Sequence, residues 1–520
     1  MAQIQSEADI FIGAFCRRNC CLCRRWSSRK ANPELSILLV EQGSNNYQEP
    51  SVVTPAVFLS HLAPGSKTAV FWQGNKSDAL NGRSPIVPSG RTLGGGSSVN
   101  FLMYTRPSAS DFDDWKTEGW GSKDILPLLR KMETYHLASD RESHGYDGPL
   151  NVSYADKEKY PAVAQAYLEV AQKRGVPLVQ DKQDLNTGHG CQRWAKWVDP
   201  VTGFRQDAAH RYIHPLSNNK HLHIMTGTKV VRIVFDGNKA TGVEVVADKD
   251  TDADADQTSR IINARKLVVV SAGAIGSPIV LQRSGVDDAD TIDPIMNQDP
   301  DFLQEAQGHF TQGKGALTTN WIDSGTQPVM LQAVVAGWLG PREVLPHKDA
   351  RMIMMGNFTA YPISRGHVYI TSTDPYAAPD FDTGFFKEQA DVEVHIWAYK
   401  HAREIARRLP QYRGEFAALH PQFPEGSAAA CIKLDGPRTL TMSRISSSKQ
   451  WHSVATVMMK PKDQGGCVDA RLNVYGTQNL KVADLSIIPG NVGSNTNSTA
   501  LVIGEKAATI IAKDLGLQLD

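Results

Sequence analysis

No stretch of this chain is apolar for long enough to cross a bilayer: runs such as Leu267–Val270 and Leu501–Gly504 fall far short of the ~20 residues a spanning helix needs. Neither sign of charge dominates, with 55 lysines and arginines against 55 aspartates and glutamates, so no surface field favours nucleic acid or anionic lipid as a partner. The start, Met1-Ala-Gln-Ile-Gln-Ser-Glu7, lacks the basic and apolar regions of a leader. The end, Gly516-Leu-Gln-Leu-Asp520, lacks a Ser-Lys-Leu-like peroxisomal address, and a cytoplasmic setting is expected. Cysteine is scarce and odd in number: of seven, Cys16, Cys20, Cys21 and Cys23 crowd together while Cys191, Cys431 and Cys467 stand alone. That pattern argues against a disulfide framework. Adjacent Cys20-Cys21 with no second CxxC half is also a poor zinc spacing, so no metal is expected. Low complexity is confined to Asp248–Asp256, read as a solvated loop.

What is present is length and glycine. A chain of 520 residues exceeds one ordinary core and implies two or three domains. Glu34-Leu-Ser-Ile-Leu-Leu-Val-Glu41 reads as a buried parallel strand ending in an acid, and acids at such ends often hold a ribose. A loop rich in glycine follows at Gly90-Arg-Thr-Leu-Gly-Gly-Gly-Ser-Ser-Val-Asn100, and then Asp111 through Glu133 reads as turns and an amphipathic helix. His221 through Val246 alternates around Asp236-Gly-Asn and predicts paired antiparallel strands. Lys266 through Leu281 is strand, glycine turn and helix; Leu480–Asp484 is a last strand and Asn497–Leu515 a last helix.

Strand–turn–helix units at both ends and in the middle predict an α/β chain. Its Rossmann-like doubly wound nucleotide-binding domain is assembled from residues 1–150, 210–290 and 455–520. An interleaved α+β substrate domain, built on an antiparallel sheet, takes residues 151–209 and 300–450.

Several stretches, in order, resemble the glucose–methanol–choline (GMC) oxidoreductases, and among them the alcohol (methanol) oxidase branch. They are Gly90 through Arg106, Asp111-Phe-Asp-Asp-Trp115, Ser271-Ala-Gly-Ala-Ile-Gly-Ser-Pro278, Thr371 through Asp382, Trp451-His452, Arg471 through Ser486, and Asn491-Val-Gly-Ser-Asn495-Thr-Asn-Ser-Thr. The resemblance implies FAD and oxidation of a CH–OH group, with electrons passing to oxygen or another acceptor. It implies that Glu41 binds the adenosine ribose and that Gly94, Gly95, Gly96, Ser97, Ser98 and Asn100 approach the pyrophosphate and flavin. Val230 would lie on the adenine side, Asp484 at the flavin-side ribityl and pyrophosphate region and Asn495-Thr496 at the isoalloxazine edge, with Ala272 and Leu485 also binding the cofactor.

The chemistry suits those residue types. Oxidising an alcohol means removing a hydroxyl proton and a hydride; an imidazole near neutrality can accept the proton and release it later, the role implied for His452. The Asn495 amide can hydrogen-bond the substrate oxygen and hold it beside that base, or can cap the helix that follows. That helix would aim its positive end at the flavin edge where negative charge gathers. Phe101 either narrows the pocket or belongs to the core.

The chain departs from the family after Asp9-Ile-Phe-Ile-Gly13. A Gly-x-Gly-x-x-Gly turn should cradle the pyrophosphate there, and the sequence instead reads Ala14-Phe-Cys-Arg-Arg-Asn through Arg29. A one-base forward shift of the reading frame forces Trp26 to Gly and turns Cys20, Cys21 and Cys23 into Ala or Val. Residues 14–30 are therefore read as a frame-shifted or mis-spliced form of that turn, to be checked by sequencing the transcript. A Pro-Gly-Val-Gly segment after Gly285 and part of the approach to Trp451 are also missing.

The expected function is FAD-dependent oxidation of a primary alcohol to an aldehyde, with a hydroxymethyl group in secondary-metabolite biosynthesis as one substrate class. Alternatives are a short-chain, methanol-type oxidase, a catalytically impaired relic with a damaged pyrophosphate loop, and an NAD-dependent dehydrogenase. Partners are a small alcohol and the electron acceptor, with a homo-oligomer open.

Overall fold

The computed structural model describes residues 7–13, 35–139, 141–154, 160–286, 330–338, 345, 347, 349–416 and 452–517. The readings of residues 14–30, of the Cys16–Cys23 cluster, of Cys431, of Trp451 and of the approach to it lie outside these. Among the described residues no helix is long and apolar enough to cross a membrane.

A seven-stranded sheet organises the chain. Its strands are β1 (Glu7–Gly13), β2 (Ile37–Val40), β3 (Leu222–Met225), β4 (Thr228–Asp236), β5 (Lys239–Ala247), β6 (Arg260–Val270) and β9 (Leu480–Val482). β1 is buried on both faces, and its run Ile10-Phe-Ile is almost fully apolar, as a strand covered on both sides requires. Parallel strands run in the order β3, β2, β1, β6, β9, in which the first strand of the chain sits at the centre and the winding reverses beside it. β6 is long enough to serve two neighbours on one edge: Arg260–Asn263 pairs antiparallel with β5, and Val268–Val270 pairs parallel with β9.

The expected hairpin forms as β4 and β5 around Asp236. The antiparallel reading of the segment beginning at His221 needs correction. β3 runs parallel to β2, because alternation marks one half-buried face and says nothing of strand direction. The expected amphipathic helix forms as α1 (Ser122–Met132), and the stretch before it, read as turns, includes the end of a short helix, Ala109–Asp113. The acidic run is not wholly solvated either, since Asp248 is buried and takes hydrogen bonds from Gln42 Nε2 (2.9 Å) and Thr251 Oγ1 (2.7 Å).

A second sheet pairs β7 (Met330–Ala336) and β8 (Ile353–Thr359) antiparallel. Helices α2 (Ala162–Lys173) and α4 (Gln389–Arg407) bury Val163, Ala166, Val170 and Ile405 against Val334, Ile353 and Met355. The hairpin His367–Tyr369 and Asp380–Asp382 instead packs Val368 and Phe381 on Ile275 and Ile279 of α3 (Gly273–Arg283), the helix that follows β6. The last helix, α5 (Asn497–Asp514), is buried along nearly its whole length.

Candidate active site

The carboxyl ends of β1, β2, β6 and β9 lie along one edge of the sheet, where open α/β sheets bind their ligands. Glu41 follows β2, and its Oε1 accepts the Gly43 N–H at 2.8 Å. Its carbonyl takes the Thr228 N–H (3.1 Å), which draws the start of β4, and Val230 with it, across the strand end. Asp484 follows β9. Its carboxylate accepts Gly273 N–H (2.7 Å), Ser277 hydroxyl (2.6 Å) and Ser486 N–H (2.7 Å), joining Ala272, Asp484 and Leu485 at the start of α3. Three inter-strand steps separate β2 from β9, roughly 14 Å, a span that suits an extended dinucleotide.

The glycine loop closes over this edge. Gly94 (φ +79°) and Gly95 (φ +52°) adopt conformations that L side chains resist. Its polar side chains brace the loop itself. Ser97 Oγ donates to Gly94 O (2.7 Å) and accepts from Ala208 N (3.0 Å), while Ser98 Oγ donates to Leu93 O (2.9 Å). Asn100 Oδ1 takes Arg205 Nη1 at 2.9 Å.

Arg205 is a residue the sequence reading missed. Fully buried, it reaches Val52 O (2.8 Å), Ser97 O (3.2 Å) and Asn100 O (2.9 Å), joining carbonyls of the short helix Gly96–Val99 and its C-cap to one from Pro50–Val53. Burial pulls its guanidinium down to about 10 against the opposing charge of Asp207. No periodicity in Val201-Thr-Gly-Phe-Arg205 marks it.

His452 opens an extended segment that runs along the residues after β9: Val457 N donates to Ser486 O (2.9 Å) and Met459 N to Ile487 O (2.7 Å). This brings His452 to the loop before α5. Its Nε2 lies 3.0 Å from Asn495 Nδ2 and its Nδ1 3.3 Å from Thr496 Oγ1, with the Phe358 ring of β8 edge-on at 5.9 Å. An amide N–H can only donate, so Nε2 is the accepting, unprotonated nitrogen and Nδ1 carries the proton towards Thr496.

Of the two roles open to Asn495, the cap does not form: the N-cap residue of α5 is Thr496 with no side-chain cap, and Asn495 faces His452 and Thr105. A helix start of this kind carries a partial positive charge that suits an anionic partner. Asn497 Oδ1, buried at the same helix start, has no hydrogen-bond partner among the described residues, as an acceptor meant for a polar cofactor edge would.

Behind the loop, Arg106 and His144 Nδ1 both meet Glu133 Oε1, and Tyr104 donates to Glu133 Oε2 at 2.6 Å, all fully buried. His144 Nε2 meets Asp181 at 2.9 Å.

An acid at the end of β2, a glycine loop across the carboxyl edge and a histidine–amide pair at a helix start fit FAD, and define an FAD-dependent oxidoreductase. Family models described as GMC oxidoreductase match residues 50–300 and 362–504, and the chain belongs to that family. It is 36% identical to an alcohol oxidase of Pichia angusta, covering 99% of this chain and 96% of that protein, and 34% identical to an alcohol oxidase of Candida boidinii with the same coverage. The first alignment runs over 642 positions against a chain of 520 residues, so the relative carries residues with no counterpart here. In fold the chain is similar to a formate oxidase (TM-score 0.77, 20% identity, 99% of each chain). A pyridoxine 4-oxidase is also similar (TM-score 0.74, 23% identity, 96% of this chain and 98% of that one).

Proposed function

We propose that the protein oxidises a primary alcohol to an aldehyde, with His452 as the base, Asn495 as the group that holds the substrate oxygen, and oxygen as the terminal acceptor. The observation that carries this reading is the contact of His452 Nε2 with the Asn495 amide at 3.0 Å. A substrate hydroxyl that takes the place of the amide at Nε2 meets an acceptor for its proton, the freed N–H is left to hold the substrate oxygen, and a base already oriented contributes about 10²–10⁴ to the rate. Bound FAD supplies the two-electron acceptor for the hydride leaving the carbinol carbon. Thr496 accepts from Nδ1–H and keeps that nitrogen protonated while Nε2 works.

Glu41 and Val230 are assigned to the adenosine end, Ala272, Asp484 and Leu485 to the middle, and the backbone of Gly94, Gly95 and Gly96 to the pyrophosphate and flavin. Ser97, Ser98 and Asn100 act by shaping that loop, and Thr496 stands with Asn495 at the ring. Residues 151–209 and 300–450 supply the substrate side, with Phe358 of β8 already against His452.

The test is a visible absorption spectrum of the purified protein followed by anaerobic addition of methanol, longer alkanols, aryl alcohols and larger hydroxymethyl compounds. Bleaching by one class establishes the reaction and separates a methanol-type oxidase from a tailoring enzyme acting on a biosynthetic hydroxymethyl group. A second reading, a catalytically impaired relative, is favoured by the sequence after Gly13, where Arg17-Arg18 stand in place of glycines. A colourless protein that gains the flavin band once residues 14–30 are replaced by a glycine turn supports that second reading.

A further inference from the structure

Thr105 lies 390 residues from Asn495 in sequence and meets the Oδ1 end of its amide, while His452 meets the Nδ2 end. Its Oγ1 accepts the Asn495 backbone N–H at 3.0 Å. The single hydroxyl proton is then free to donate to Asn495 Oδ1 or to the Asn495 carbonyl, each at 3.3 Å. The Thr105 backbone is itself pinned, since Ser498 Oγ in the first turn of α5 donates to Thr105 O at 2.5 Å. A donor beside Oδ1 holds the amide with its NH₂ towards the ring, because the two ends of an amide accept and donate respectively.

We propose that Thr105 is a positioning residue: its hydroxyl fixes the direction of the Asn495 amide, and through it keeps His452 Nε2 unprotonated and ready to take the alcohol proton. The inference rests on the proposed role of His452. With NH₂ facing it, a proton arriving on Nε2 meets a donor instead of an acceptor, so the protonated ring is disfavoured and gives its proton up. Without the hydroxyl the amide can turn and offer Oδ1 to Nε2–H, and the protonated ring gains a hydrogen bond. Among the described residues Asn495 and Thr496 before α5 and Phe358 of β8 lie against His452, and none of these three titrates near neutrality. Asp111, from the helix Ala109–Asp113, bonds Gly493 N two residues before Asn495 and is itself bonded by Tyr361.

The experiment is ¹⁵N NMR of the holoprotein labelled in histidine, with the His452 ring signals assigned by their loss in His452→Gln. In the wild type Nε2 is expected unprotonated and Nδ1 protonated above the titration. In Thr105→Val the midpoint of ring protonation is expected to rise by about one pH unit, a tenfold gain in the protonated form, and in Thr105→Ser to return to the wild-type value. Thr105→Ala serves if the valine variant fails to fold. An Nε2–H tautomer in the wild type overturns the proposal, as do superimposable titrations for wild type and Val, or a Ser variant displaced as far as Val. Because the rings are read without alcohol, a protein that fails to oxidise alcohols sinks the functional reading while the Thr105 result stands on its own.

Discussion

The Tyr361 hydroxyl donates to Asp111 Oδ1 over 2.7 Å, and the other oxygen of the same carboxylate takes the Gly493 N–H at 3.2 Å. One buried acid thus ties the segment after β8 to the loop that carries Asn495. Burial pushes its carboxyl up to about 6, against the lowering effect of Tyr361, Gly493 and Ser108. A folded value above the unfolded 3.8 means that its contribution is fully present below about pH 4 and is lost as pH rises through about 6. The loss amounts to about 3 kcal/mol at neutral pH. The stability of Asp111→Asn relative to wild type should therefore rise between pH 4 and pH 7 in parallel denaturant titrations. A difference that stays flat with pH would show that Asp111 titrates normally.

Replacing His452 with Ala should lower alcohol-dependent flavin reduction by about 10²-fold or more while the flavin band of the purified protein is kept. Stopped-flow absorbance reads both. Unchanged reduction would remove the base from the mechanism.

The glycine loop should be sensitive from both sides. Gly94→Ala places a Cβ 2.6 Å from Ser98 Oγ at φ +79°, a strain of about 1–2 kcal/mol before the overlap is counted. Arg205→Met leaves the carbonyls of Val52, Ser97 and Asn100 without their donor, a loss of about 3 kcal/mol. Both variants should lose flavin on gel filtration before they lose secondary structure by circular dichroism.

Glu133→Gln keeps the shape of the buried cluster and removes the charge that Arg106 and His144 face. Breaking one partner out of such a set costs about 3–5 kcal/mol, and the urea midpoint should fall accordingly. Glu133→Gln with a midpoint equal to wild type would mean the cluster is neutral as it stands.

The parts of this molecule that announce themselves in sequence are those with local pattern. Lys266 through Leu281 shows its strand, turn and helix, and Asp236-Gly-Asn its hairpin. β3 was legible as a strand but not in direction, since Leu222 and Ile224 would alternate alike in either sense. His452 and Asn495 are one histidine and one asparagine among many, and only their likeness to a family singled them out. Thr105 and Arg205 carried no signal, because their roles arise from partners far along the chain. Asp248 was misjudged because a run of acids looks solvated until one of them finds Gln42.

The strand at the centre of the sheet is also the first to leave the ribosome. β1 finds β2 early, but its other neighbour, β6, begins at Arg260, and β6 completes its own edge only with Leu480–Val482. At about 5–20 residues per second, on the order of a minute passes between synthesis of the middle of the sheet and synthesis of its last strand. Until β6 is made the apolar β1 has one open edge, and from then until β9 is made β6 has another, so the chain depends on whatever shields them. Yield in a foreign host should accordingly follow the supply of chaperones and the speed of translation more closely than the stability of the finished protein.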